Sequence, residues 1–144
     1  TPVDIGEVRF LAAQEEQVLS WSGMGAGDTD ASYSMEVPED LTVTGIRMPM
    51  ENHFSDLLLV KDGEGQPMTF PASYQQGDTL SLETELSLTE KDNRAHMVID
   101  VVPVLEMETA TGEKVCAYLY DSMKYTPDMN ILEIYRILHM KEDM

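Results

Sequence analysis

Carboxylates are the most abundant reactive groups in this chain, and two of their arrangements have spacings that chemistry uses. Glu83 and Glu85 alternate with Leu82, Thr84 and Leu86. On a strand both would project from one face, about 7 Å apart. Retaining glycosidases place two carboxyls about 5–5.5 Å apart. The same face carries only Ser81 and Ser87, with no aromatic to stack a sugar. A solvated strand face is the expected reading. The second arrangement is Asp28-Thr29-Asp30, inside the Gly-rich stretch SGMGAGDTDASYS. Alternating acids on a flexible loop can offer hard oxygen ligands to Ca²⁺. Counted as an EF-hand loop, Ser32 takes the next ligand position, Tyr33 the place of the invariant Gly, and Glu39 the twelfth position. The missing Gly and the lack of flanking helices reduce this to a weak Ca²⁺ candidate beside an ordinary Asx-turn reading.

Other reactive residues are scattered. His53, His96 and His139 have no short mutual spacing that would make two of them ligands of one metal. Cys116 is the only cysteine. It lies in the apolar run Val115–Tyr120, where a buried inert thiol is expected. Asp100 interrupts an apolar run and requires a partner, an edge position or a capping role. There is no Walker A, GxSxG or HExxH pattern. Gly23-Met24-Gly25-Ala26-Gly27 lacks the Lys-Ser/Thr of a phosphate loop and reads as a turn. Nothing is assigned as catalytic, cofactor-binding or metal-ligating.

Aromatic and thioether side chains point instead to recognition. Tyr118 and Tyr120 share one face of a predicted strand, and an exposed Tyr pair suits carbohydrate or protein partners. Core packing, or cover by the C-terminal helix, is the competing expectation. Among 11 Met, the two at 48 and 50 and the terminal Met140 and Met144 are the best candidates for a partner contact.

The elements that would position these groups are mostly strands. Residues 7–20 read as helix, with strands before Gln14 and over Gln17–Trp21 as the rival. Residues 22–34 read as a loop. Strands are predicted at Met35–Val37, Leu41–Met48, Leu57–Val60 and Pro67–Phe70, with turns at Pro38-Glu39-Asp40 and Asp62-Gly63-Glu64-Gly65. In TLSLETELSL, residues 79–88, Leu80, Leu82, Leu86 and Leu88 point one way and Ser81, Glu83, Glu85 and Ser87 the other, which marks a strand with one wet face. His96–Met107 reads as one central strand, bulged or broken at Pro103. Thr111-Gly112-Glu113 turns into the strand Val115–Tyr120. Thr126-Pro127 resembles a helix start, and Ile131, Ile134, Tyr135 and Leu138 follow at helical spacing.

Residues 1–144 therefore read as one mainly β domain: an antiparallel β-sandwich or bent meander sheet with a C-terminal α-helix. The alternative is α+β, with helices on one face of an antiparallel sheet. With 27 Asp and Glu against 9 Lys and Arg, the formal charge is −18. Such a surface repels phosphate backbones and anionic lipids, which excludes nucleic acid as an expected partner. No apolar run is long enough for a membrane helix. The chain opens Thr1-Pro2 with no initiator Met, as a removed signal peptide, an anchor or a tag scar would leave it. Short strands, Asp-Gly and Thr-Gly-Glu turns and an acidic surface are shared with exported bacterial adhesive and Ig-like modules, a likeness of class only. The expected function is a non-enzymatic module, exported or in the cell envelope, that binds a protein or polymer partner without a cofactor. Two alternatives are an intracellular acidic regulator or inhibitor of a basic protein and a small carboxylate-dependent hydrolase.

Overall fold

The computed structural model describes residues 16–48 and 51–127. These residues form a β-sandwich with a small added sheet. The strands are β1 (Gln17–Val18), β2 (Gly23–Ala26), β3 (Asp30–Glu36), β4 (Leu41–Arg47), β5 (Leu58–Asp62), β6 (Ala72–Tyr74), β7 (Thr79–Leu86), β8 (Ile99–Val101), β9 (Val104–Thr109), β10 (Lys114–Tyr118) and β11 (Met123–Tyr125). One sheet has the order β1-β10-β9-β4-β6, and the other β2-β3-β7-β5. The pair β11-β8 forms a separate two-stranded sheet. All pairings are antiparallel except β1 on β10.

Period-two alternation places the main core. Leu80, Leu82, Thr84 and Leu86 of β7 are buried, and Ala31, Tyr33 and Met35 of β3 lie beside them. They face Leu41 and Val43 of β4, Leu105 and Met107 of β9, and Val115 and Ala117 of β10. Each fully buried Leu, Val or Met contributes about 1.5–3 kcal/mol over an exposed one. A bulge between Val43 and Gly45 shifts the β4 register, which lets Ile46 pack against the same core. A second cluster of Phe54, Leu57, Leu86, Ile99 and Met123 closes one end of the sandwich under β8 and β11.

Several local expectations are corrected. Gln17–Val18 is a strand, so the helical reading of 7–20 fails in the described part. The Gly-rich segment 22–34 is mostly a β-hairpin, turning at Gly27–Asp30. Its strand glycines face occupied space: a Cβ on Gly23 would stand 2.7 Å from Ser34 Oγ on the paired strand, so that hydroxyl would have to move. Pro67–Phe70 is not a strand. After the Lys61–Pro67 bridge the chain leaves β5, crosses to the other sheet and pairs there as β6. Proline supplies no amide at 67 or 71 to continue a ladder. His96–Met107 breaks at Val102-Pro103, as the proline predicts, but it is not one central strand: its parts β8 and β9 belong to different sheets, and Met97 and Val98 are exposed. A four-residue helix, Glu51–Phe54, and a 3-10 turn, Ser55–Leu57, lie between β4 and β5. The predicted C-terminal helix falls outside the described residues, as do His139, Met50, Met140 and Met144.

Candidate binding edge

The best-organised surface feature is the end of β10. Inward positions Val115, Ala117 and Leu119 are buried in the sandwich, which forces Cys116, Tyr118 and Tyr120 onto the opposite side. Pairing outlasts the strand, because the Leu119 amide donates to the Pro103 carbonyl at 2.9 Å. The chain then turns sharply. Asp121 takes φ 61°, a left-handed conformation that Asp tolerates better than most residues. Ser122 donates its hydroxyl to the Leu119 carbonyl at 2.8 Å and closes the turn.

Two long-range hydrogen bonds fix the backbone that carries the tyrosines. Trp21 donates its indole N–H to the Tyr118 carbonyl at 2.8 Å. Tyr33 spans the sandwich from β3 and donates its phenol to the Tyr120 carbonyl. Their rings pack with centroids 5.1 Å apart. Burial pushes the Tyr33 phenol above its ordinary value, an effect opposed by the Thr84 and Ser122 hydroxyls. Tyr33 therefore stays a donor across the ordinary pH range. The Tyr118 and Tyr120 rings are 5.8 Å apart and tilted by 34°. Tyr120 is 50% exposed, Tyr118 is half-buried, and Val18 of the edge strand is 51% exposed. The result is an aromatic step on a fixed backbone, able to stack on a flat group or a cation.

Next to it lies an open cleft of about 620 Å³, lined by residues that include Asp28, Thr29, Asp121, Lys124 and Tyr125. Asp121 belongs to the same turn as Tyr120. Lys124 reaches Asp121 at 3.6 Å, with both side chains about half exposed or more.

The remaining sequence candidates are not brought into a site. Glu83 and Glu85 stay on the wet face of β7, and Glu85 pairs with Lys61 at 2.8 Å. Asp28 lies in the β2–β3 turn, Asp30 begins β3, Ser32 lies on β3, and Glu39 sits in the separate turn before β4. No group of three His, Cys, Asp or Glu suited to a metal occurs among the described residues. Asp100 is exposed on β8 and opposes Lys124 in the β8–β11 ladder, so its place in an apolar run reflects an outward face. His53 and His96 are exposed. Cys116 is buried and free, and burial pushes its thiol up, the direction of an unreactive group. Met48 is half-buried and packs against the second cluster. Arg94, which sequence reasoning passed over, is a staple. It donates to both Asp56 oxygens at 2.8 and 2.7 Å, to Asp92 and to the His53 carbonyl.

Sequence reasoning found the tyrosine pair but not its supports. The signal for Tyr33 was present, since Ala31, Tyr33 and Met35 alternate with Ser32, Ser34 and Glu36. Neighbouring glycines and aspartates masked it by imitating a loop. No protein family, curated protein or solved structure matches this chain.

Proposed function

We propose that this protein is a non-catalytic binding module, displayed outside the cytoplasm or in the cell envelope, that takes a protein or polymer partner on the Tyr118–Tyr120 step. One observation carries the reading: a half-exposed aromatic pair stands on backbone held by two hydrogen bonds from distant side chains. Preorganised aromatic surface loses little freedom on binding, which is why such rings concentrate affinity. The ionic groups fit a structural role better than a catalytic one. Arg94, Arg47 and Lys61 are each held by carboxylates rather than converging on an open pocket with a nucleophile.

The test is an array of immobilised glycans (cello-, xylo- and chito-oligosaccharides) and basic and acidic proteins, probed with wild type and with a Tyr118→Ala, Tyr120→Ala double variant. Retention of wild type on one class, weakened at least about tenfold in the double variant, is expected if two ring contacts are lost. Equal retention of both proteins would contradict the assignment. Detection of the native protein only in the cytosolic fraction of its cell would contradict the compartment.

A further inference from the structure

We propose that the occupant of the tyrosine step is a basic protein segment: a Lys or Arg stacks on Tyr120, and a neighbouring cation enters the cleft between Asp28 and Asp121. This rests on the binding role given above to Tyr118 and Tyr120. Ring geometry favours a cation over a sugar. A pyranose face seeks a broad flat platform, whereas these rings are tilted by 34° and Tyr118 is half-buried. One exposed ring face is enough for an ammonium or guanidinium group. Charge favours the same partner. The chain carries −18, and the turn that bears Tyr120 continues directly into Asp121 on the cleft wall. Across that cleft Asp28 has no ion-pair partner among the described residues. Lys124 already shows how a cation sits there, at 3.6 Å from Asp121 and 62% exposed, held loosely enough to be displaced. Aromatic faces and acids on one edge present negative potential of two kinds, and a basic chain satisfies both.

The experiment uses the sole tryptophan as reporter, because Trp21 is bonded to the Tyr118 carbonyl. A synthetic peptide of alternating Arg and Gly is titrated at low salt. An isosteric citrulline-Gly peptide and cellohexaose serve as the other ligands. The expected result is saturable fluorescence change with the Arg peptide alone. Tyr120→Ala should weaken binding about 3- to 5-fold, the size of an exposed cation–π contact, while Tyr120→Phe should keep it. Asp28→Asn should weaken it, and Lys124→Met should tighten it by removing the competing cation. Glu36→Gln and Glu83→Gln, on the solvent faces of β3 and β7 and outside the cleft lining, serve as controls for diffuse attraction to an acidic surface. Equal weakening by all the acid variants with no effect of Tyr120→Ala would overturn the site. Saturable cellohexaose binding that Tyr120→Ala abolishes, without peptide binding, would overturn the basic partner yet leave the binding edge standing. No saturable binding of any ligand would also overturn the proposal.

Discussion

Arg94 shows most plainly what a single residue contributes here. Its guanidinium ties the 3-10 turn Asn93–His96 to the helical segment before β5 through Asp92, Asp56 and the His53 carbonyl. The Asp92 carboxyl, hydrogen-bonded to the Arg94 side chain and backbone amide, falls from its ordinary 3.8 to about 2. Asp56 is lowered in the same direction, first by its hydrogen bonds to Arg94. A carboxyl depressed by folding adds stability that is present above its unfolded pKa and is lost as pH falls through the folded one. The window for Asp92 therefore runs from about pH 4 down to about pH 2. Acidification also removes repulsion among 27 carboxylates, which acts the other way. Only a comparison isolates the pair. Between pH 5 and about pH 2 the urea midpoint of wild type should fall more, or rise less, than that of Asp92→Asn. Parallel curves would contradict the assignment.

At the scale of elements, strands were legible wherever alternation ran uninterrupted. TLSLETELSL was readable as β7 because its apolar side chains meet the opposite sheet at every second residue, with buried Thr84 supplying the one polar step. The turns at Asp62–Gly65 and Thr111–Glu113 were legible because glycine there takes φ of 78° and 83°. Where tertiary spacing chose the residue, local pattern misled. Gly23 and Gly25 looked like loop chemistry, yet they sit on β2 opposite Ser34 and Ser32, whose hydroxyls occupy the space a side chain would need. Likewise the continuous apolar run around Pro103 gave no sign that its halves serve different sheets. The binding edge was half visible: the Tyr118–Tyr120 spacing is local, whereas Trp21 and Tyr33 join it only through contacts 97 and 87 residues apart in sequence. The crowding at β2 predicts coupling. Gly23→Ala should cost more in wild type than in a Ser34→Ala background, by about 0.5–1 kcal/mol in a double-mutant cycle of urea unfolding. A coupling near zero would show that Ser34 simply rotates away.

For the molecule as a whole, the sandwich is a frame for one rigid end. The main core spans both sheets, the second cluster closes the small β8–β11 pair over it, and six ion pairs on the described surface offset only part of the acid excess. Exposed pairs of this kind are each worth little. Burial and cross-sheet hydrogen bonds hold the tyrosine step in place, so its rigidity should track global stability rather than surface charge. Native-state hydrogen exchange at Leu119, whose amide bonds to Pro103 beside the tyrosines, reads this directly. In wild type Leu119 should exchange only through global unfolding, and Tyr33→Phe should lower its opening free energy by about 1 kcal/mol. Exchange at Leu119 as fast as in the Gly27–Asp30 turn would contradict a preorganised binding edge.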